Sequence, residues 1–240
     1  MSDLIMGKNT VIEVLKHRPK MIIQIFTAKD SKDPIILDMQ KKQLPIKFVS
    51  KKTLNQMVKS ESHQNIVAKI KYRNYWNVKD FLKNVESNKR SLVVMLDSIF
   101  DPQNLGAILR ACECFSVNGV IFSKNRGSDI TAVVTKASSG ASEMLNLIKV
   151  SNLATSLDSF IDNGFSIVAT TLEKPSKDLY SYKFLDKTLL IMGSEGTGVQ
   201  KILLKKADDK IHIPMSGDLQ SLNVSMASAI ILSHFRSQAS

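Results

Sequence analysis

Apolar residues recur along this chain in short runs separated by segments with helical spacing. In the first part of the chain, β-branched and aromatic residues predict strands at 21–26, 46–49 and 66–70. Apolar residues three and four positions apart predict a helix that is capped at 7–10 and ends before Pro19, and helices at 35–39 and 54–58 between the strands. This alternation predicts a compact α/β module of about 70 residues.

From residue 92 onward the alternation is longer and more regular. Apolar runs predict five strands, at 92–96, 120–122, 166–169, 189–192 and 210–213. Helical spacing predicts five helices, at 104–115, 131–137, 153–162, 199–205 and 222–235. Strands that alternate with helices indicate a parallel α/β sheet. We predict an N-terminal domain at 1–72, a linker at 73–90 with one short helix near 78–85, and a C-terminal domain at 91–240.

Positive charge is concentrated at the front of the chain. The sequence holds 33 Lys and Arg against 22 Asp and Glu, a net charge of +11, and residues 1–75 account for 15 of the basic and 6 of the acidic residues. Five lysines cluster within a dozen positions: Lys41, Lys42, Lys47, Lys51 and Lys52. Such a patch is typical of a surface that binds a phosphate backbone, although a solubilising surface gives the same pattern. An anionic membrane is less favoured, because no amphipathic helix carries the charge.

Three aromatic residues, Tyr72, Tyr75 and Trp76, lie beside Arg73 in the predicted linker. Aromatic rings next to basic residues can stack on unpaired bases, which would make them RNA contacts. A hinge whose aromatic residues pack on one domain explains the same pattern.

Several classes of protein are disfavoured by composition. No run of 18 apolar residues occurs, and the N-terminus lacks a secretory signal, so we expect a cytoplasmic protein. The two cysteines, Cys112 and Cys114, are spaced to face different sides of a helix, and the four histidines have no partners at metal-ligand spacing. We therefore expect neither a metal site nor a membrane partner.

Two loops late in the chain are candidates for ligand binding. The strand at 189–192 runs into Gly193–Gly198, and the strand at 210–213 is followed by Met215 and then by Ser221–Ser225. In a parallel sheet both loops would border a crevice at the carboxyl edge. The first loop reads G-x-x-G-x-G, which is neither the dinucleotide fingerprint nor a P-loop, and it could be an ordinary tight turn with Glu195 favouring the helix dipole.

A third candidate follows the strand at 92–96. Asn104 lies near a predicted helix start, where Asn caps well, and Arg110 lies about two turns inside that helix among apolar neighbours. Arg110 is either a surface charge or an anchor for a phosphate or carboxylate. No Ser-His-Asp or Cys-His pairing is indicated, which disfavours hydrolysis through a covalent intermediate.

Together these stretches resemble the SpoU family of RNA ribose 2′-O-methyltransferases, over the whole of 92–235. Three blocks in order carry the resemblance: Asn104-x-Gly106-Ala107-x-x-Arg110-Ala111, Gly193-x-Glu195-Gly196-x-Gly198, and Ile213-Pro214-Met215-x-Gly217 with Ser221-Leu222-Asn223-Val224-Ser225. Lys136–Ala141 supports them between the first and second blocks. The front end resembles the small, L30e-like RNA-binding module of many members. Members usually have Gly after His63-Gln64, where this chain has Asn65, a residue that tolerates a left-handed turn.

The resemblance implies more than the residues alone establish. It implies an α/β-knot (SPOUT) domain with a deep C-terminal trefoil knot, binding of S-adenosylmethionine, and a homodimer through that domain. The implied cofactor-binding residues are Met192, Gly193, Gly198, Ile213, Met215 and Leu222. The implied catalytic residues are Asn104, Arg110, Glu195, Ser221 and Asn223.

Within the family, the overall layout most resembles the bacterial members that methylate a guanosine ribose in the peptidyl-transferase region of large-subunit (23S) ribosomal RNA. A tRNA ribose 2′-O-methyltransferase of the same family is an alternative that no residue excludes. A non-catalytic RNA-binding or ribosome-assembly protein would not need Arg110, Glu195 and Asn223 together.

Overall fold

The computed structural model describes residues 2–194, 196–219 and 221–238, with the backbone alone described at Ser2. The chain folds into two compact units. The first is formed by the residues up to Asn74 together with Ile130–Met144, and the second by Tyr75–Asp129 and the chain from Leu145 onward.

The first unit is built on a four-stranded sheet. Its strands are β1 (Ser2–Met6), β2 (Ile22–Thr27), β3 (Ile46–Phe48) and β4 (Ile66–Lys71), in the spatial order β1-β4-β2-β3. Strand β4 is antiparallel to β1 and β2, and β3 is parallel to β2. Strands β1, β2 and β3 therefore end at one edge of the sheet, where β4 begins.

Three helices connect these strands, and each begins where the sequence supplies a suitable residue. They are α1 (Lys8–His17), α2 (Pro34–Lys41) and α3 (Lys51–Val58). Asp33 and Ser50 accept hydrogen bonds from backbone N–H groups of α2 and α3, which satisfies donors that a helix start leaves free. The predicted strands and helices of this region are confirmed. Strand β1 was not predicted, because its short apolar run becomes a strand only by pairing with β4.

Segment Ile130–Met144 belongs to the first unit, although its position in the sequence predicted a place within the C-terminal domain. Its helix α6 (Ala132–Ala137) packs along β1, and Ala132 and Val133 cover a small core of Met6, Leu54 and Val67. No local pattern signals this placement, because a helix between two strands is also what a continuous α/β domain contains.

A buried ion pair fastens this segment to the end of β4. Arg73 and Glu143 are 7% and 3% exposed, and the Arg73 Nη2 donates to Glu143 Oε1 at 2.5 Å. The Arg73 Nε donates to both carboxylate oxygens at 3.2 Å, and its Nη1 donates to the Ile130 carbonyl. Thr135 and Ser142 donate hydroxyl hydrogen bonds to Glu143 Oε1.

Replacing Glu143 with Gln is expected to destabilise the first unit by about 3–5 kcal/mol, because it removes the carboxylate that binds the buried Arg73 guanidinium most closely and leaves Asp3, 3.8 Å away, as the remaining acidic neighbour in an ion pair. Hydrogen exchange of the β1 and α6 amides measures this loss. The matched control is Asp38→Asn, which removes the same charge from the exposed Lys42–Asp38 pair and should cost less than about 1 kcal/mol. Equal, small effects at both positions would contradict the anchoring role of Glu143.

The second unit contains a seven-stranded sheet in the order β7-β6-β5-β10-β8-β11-β9, with every neighbouring pair parallel. The strands are β5 (Ser91–Leu96), β6 (Gly119–Ser123), β7 (Leu147–Val150), β8 (Ser166–Thr170), β9 (Lys177–Asp178), β10 (Lys187–Met192) and β11 (Asp209–His212). The helices of this unit are α4 (Val78–Val85), α5 (Pro102–Cys114), α7 (Leu153–Asp162), α8 (Lys201–Lys206) and α9 (Val224–Ser237). The predicted parallel sheet is confirmed, while the short outer strands β7 and β9 were not predicted.

The predicted linker contains part of the second unit. Helix α4 matches the short helix predicted there, and its Phe81, Leu82 and Val85 are buried in this unit's core. Trp76 packs edge-on against Phe81, and Tyr75 lies against Phe122. The alternative in which these aromatic residues pack on one domain is therefore confirmed for Tyr75 and Trp76, whereas Tyr72 is half exposed.

The order of the strands reverses within the sheet of the second unit. From β5 the chain moves outward to β6 and β7, and it later returns to the other side of β5 with β10. Loops leave in opposite directions at such a reversal, so a space opens at the carboxyl ends of the strands. Within the described ranges, none of the helices has the length and apolar character that crossing a bilayer requires.

Candidate active site

A cavity of about 290 Å³ lies at the carboxyl edge of the second unit's sheet. Its walls are the loops that follow β8, β10 and β11, together with the start of α9. The residues at its border are mainly small, hydroxyl-bearing or aliphatic, and they include Thr170, Thr171, Met192, Gly193, Ser194, Gly196, Thr197, Gly198, Ile211, Ile213, Met215, Ser221, Leu222 and Ile231. The cavity thus combines an apolar interior with many backbone polar groups.

The two loops singled out in the sequence border this one cavity. All six residues predicted to bind a cofactor line it, namely Met192, Gly193, Gly198, Ile213, Met215 and Leu222, and so does Ser221. Glu195 lies outside the described residues, although its neighbours Ser194 and Gly196 line the cavity. The structure therefore brings the predicted cofactor residues together, while their individual roles stay predictions.

The loop after β10 folds back on itself at Gly193. A Cβ atom on Gly193 would lie 2.1 Å from the Gly198 carbonyl carbon and 2.3 Å from the Val199 nitrogen. The Gly198 N–H donates to the Ser194 carbonyl at 3.0 Å, and the Ser194 and Thr197 hydroxyls are 2.8 Å apart. Only a residue without a side chain fits at position 193, because the facing atoms are backbone.

A buried carboxylate holds the far end of this loop. Asp97, directly after β5, is 0% exposed, and its Oδ2 accepts from the Gln200 backbone N–H at 2.7 Å. The Gln200 side-chain amide donates to Asp97 Oδ1 at 2.6 Å, and Arg126 donates to the Gln200 Oε1. No role was predicted for Asp97, because the only signal in the sequence is an acidic residue at the end of an apolar strand.

Asn104 and Asn223 meet where α5 and α9 pack against each other. The Asn223 Nδ2 donates to Asn104 Oδ1 at 3.0 Å, and Asn223 Oδ1 accepts from the Ser225 backbone N–H at 2.9 Å. Asn223 therefore caps α9 and positions Asn104 with the same side chain. These two predicted catalytic residues are brought together beside the cavity, since Leu222 and Val224 line it.

Arg110 does not lie at the cavity of its own chain. It is exposed on α5, does not line the cavity, and makes no hydrogen bond or ion pair with a described residue. Its Cα lies about 9 Å along the helix from that of Asn104, and its side chain points about 120° away around the helix axis. The guanidinium is therefore accessible to a ligand that reaches this surface.

The described residues hold no group of three or more His, Cys, Asp or Glu side chains that could bind a metal ion. His212 lines the cavity, but its Nδ1 lies 3.0 Å from the Ser176 hydroxyl.

A cavity at the carboxyl ends of parallel strands, bordered by a glycine loop and with two paired asparagines beside it, matches a known class of enzyme. The chain belongs to the SpoU rRNA methylase family, whose model matches residues 91–233. Residues 4–76 match the substrate-binding domain of RNA 2′-O ribose methyltransferases.

Two relatives extend over nearly the whole chain, and a third over two thirds of it. The 23S rRNA (guanosine-2′-O-)-methyltransferase RlmB of Photobacterium profundum is 34% identical over 96% of this chain and 96% of its own length. The crystal structure of the SpoU methyltransferase AviRb from Streptomyces viridochromogenes, in complex with the cofactor AdoMet, has a TM-score of 0.81 at 19% identity and covers 99% of this chain and 90% of its own. A TrmH/SpoU tRNA-modifying enzyme from A. aeolicus is 32% identical, with a TM-score of 0.57, over 67% of this chain and 81% of its own.

Proposed function

We propose that this chain transfers a methyl group from S-adenosylmethionine to a ribose 2′-hydroxyl of RNA. The observation that carries the proposal is the single cavity lined by all six residues that the family motifs mark for the cofactor. The family membership supports the reaction, and the RlmB relatives, which span almost the whole chain, support the substrate class.

The cavity suits this cofactor in size and chemistry. Its volume of about 290 Å³ is near the lower end of small-molecule sites, which run from about 300 to 1,000 Å³. Met192, Ile213 and Leu222 offer apolar surface to an adenine ring, and the backbone of Gly193–Gly198 offers hydrogen-bonding groups close to the cavity because no side chain intervenes at Gly193. When bound, S-adenosylmethionine supplies a methyl group that its sulfonium makes electrophilic.

The remaining task is to position a ribose hydroxyl and assist loss of its proton. Orientation of two reactants can supply about 7–11 kcal/mol in favourable cases. We assign Asn104, Ser221 and Asn223 to positioning the ribose, and Arg110 to anchoring the adjacent phosphate and stabilising the developing oxyanion. A guanidinium with a pKa above about 12 is a poor base, so Arg110 acts through its charge and its planar donors. Glu195 is assigned to shaping the loop.

For the substrate we propose a guanosine in the peptidyl-transferase region of 23S ribosomal RNA. The name of the RlmB relatives supports the guanosine and the 23S rRNA, and their match covers both units. A tRNA substrate is the nearer alternative, but the tRNA-modifying relative that supports it matches only 67% of this chain.

The proposal includes a homodimer formed through the second unit and a trefoil knot within it. Phe100, just before α5, and Met226, in the first turn of α9, are 65% and 61% exposed, and such apolar surface favours a protein contact. The family membership supports the knotted path. Light scattering should give a mass near twice the 26.7 kDa of one chain. We place this activity in the cytoplasm, where ribosomal RNA is modified.

One assay tests the reaction and the substrate together. Purified protein is incubated with labelled S-adenosylmethionine and total RNA, and 2′-O-methylated positions are mapped. We expect label at one guanosine of 23S rRNA. Label confined to tRNA would overturn the substrate, and cofactor binding without transfer to any RNA would favour the non-catalytic alternative.

A further inference from the structure

Four of the five lysines that cluster in the sequence are divided between two opposite edges of the first unit's sheet. Lys51 and Lys52 are the first residues of α3, so they lie at the edge where β1, β2 and β3 end, and Lys8 begins α1 at that same edge. Lys41 and Lys42 lie at the far end of α2, at the opposite edge. The cluster of five lysines in the sequence is therefore not one patch in the fold.

A fourth lysine reaches the first of these edges from segment Ile130–Met144. The Lys136 Nζ donates to the Ser62 carbonyl at 2.5 Å, and its side chain would lie 3.3 Å from a Cβ on Gly7. The Lys8 N–H donates to the Gln64 side chain at 2.9 Å, which joins the start of α1 to the turn at 63–65. In this turn Gln64 and Asn65 have φ values of 54° and 62°, so Asn65 does adopt the left-handed conformation.

We propose that this edge, the basic edge formed by Lys8, Lys51, Lys52 and Lys136, is where the first unit binds the phosphate backbone of RNA. The proposal rests on the RNA substrate proposed above and deepens it by naming the surface. It assigns Lys136, which lies outside the matched substrate-binding domain at 4–76, to RNA binding. It also assigns Lys41 and Lys42 no part in that binding.

Little negative charge offsets these lysines. Neither α1 nor α3 has an acidic residue in its first turn. The nearby Asp33 is occupied by Lys29 at 2.6 Å and by the Ile35 N–H. Burial, and then the positive charges of Lys136 and Lys51, lower the pKa of His63, against a smaller opposite effect of Glu61. The positive charge of this edge therefore disfavours protonation of the buried His63 imidazole.

The placement of three of these lysines is unfavourable for folding. Cations near a helix N-terminus oppose the helix dipole, and Lys8, Lys51 and Lys52 all occupy the first turn of a helix. Lys8, Lys51 and Lys52 are exposed and form no ion pair with a described residue. Binding of an anion explains why lysines occupy these positions, where their charge does not stabilise the helices.

The test compares two triple variants of the full chain with equal charge. The edge variant is Lys8→Gln, Lys51→Gln and Lys52→Gln. The control is Lys41→Gln and Lys42→Gln at the opposite edge, with Lys20→Gln, which lies at that edge because it just precedes the start of β2. Affinity for a 23S rRNA fragment is measured at several salt concentrations, with melting temperature and S-adenosylmethionine affinity measured in parallel. Lys136→Gln is tested as a separate single variant, because the Lys136 side chain also donates to the Ser62 carbonyl.

We expect the edge variant to lose at least about tenfold in RNA affinity and to reduce the slope of log K against log salt by about 2–3, since each phosphate contact contributes about 0.7–0.9. Its melting temperature should be unchanged or higher, and the control should bind RNA within about twofold of wild type. Equal losses in both variants, or a larger loss in the control, would overturn the proposal. Failure of methyl transfer by the wild type, with RNA binding still lost in the edge variant, would instead count against the proposed function alone.

Discussion

Replacing Gly193 with Ala is expected to reduce the affinity for S-adenosylmethionine by at least about 100-fold. The added methyl carbon would lie 2.1 Å from the Gly198 carbonyl carbon and 2.3 Å from the Val199 nitrogen, and these are backbone atoms that cannot rotate away. The loop must therefore open, and it forms one wall of the cavity. Isothermal titration calorimetry measures the affinity, and circular dichroism checks that the fold is retained.

Gly196 provides the matched control in the same loop. A Cβ atom there would meet no described residue within 4 Å apart from its chain neighbours, and the residue has no positive φ that an alanine would strain. Gly196→Ala should therefore bind S-adenosylmethionine within about threefold of wild type. Near-normal affinity in Gly193→Ala would show that the loop does not shape the cofactor site.

Replacing Arg110 with Ala is expected to lower the rate of methyl transfer by about 10²–10³-fold or more, the usual cost of losing a donor that stabilises developing charge. Affinity for S-adenosylmethionine should stay within a few-fold of wild type, because Arg110 does not line the cavity. Single-turnover transfer to 23S rRNA separates this chemical effect from RNA binding.

Two further variants on α5 make the Arg110 result specific. Arg110→Lys keeps the charge but loses the planar pair of donors, so we expect only partial recovery of the rate. Glu113→Gln changes an exposed charge one turn further along the helix and should leave the rate unchanged. An Arg110→Ala protein with near-normal turnover would remove Arg110 from the catalytic group.

The central strands were predictable from the sequence because the apolar residues that bury each of them follow one another in the chain. Strand β5 is buried along its whole length and reads as a continuous apolar run, as does most of β10. Strands β1 and β7 were missed, since each is a short outer strand stabilised chiefly by a single neighbour, β4 or β6. Their existence depends on a partner that is distant in sequence, and local periodicity carries no information about it.

The candidate site was predictable in part, namely where its residues follow the ends of predicted strands. Glycine and asparagine residues at strand ends pointed to the cavity, because parallel strands bring their carboxyl ends to one edge. The Asp97–Gln200 contact joins residues 103 positions apart, and the Arg73–Glu143 pair joins residues 70 apart. Neither pairing has a local signal. The basic cluster in the sequence suggested one patch, which the fold does not contain. Strand β3 lies between Lys42 and Lys51, so these lysines lie at opposite edges of the sheet although they are close in sequence.

The first unit is discontinuous in sequence, so it is completed late during synthesis. When Asn74 leaves the ribosome, the unit still lacks Ile130–Met144, so the Arg73 guanidinium has no Glu143 and the core at Met6 and Val67 lacks the cover that Ala132 and Val133 supply. At about 5–20 residues per second, the missing segment follows roughly 4–14 s later. During that interval β5, α5 and β6 emerge, so the unit encoded first is completed only after synthesis of the second has begun, and before the central strand β10 of the second unit has been made.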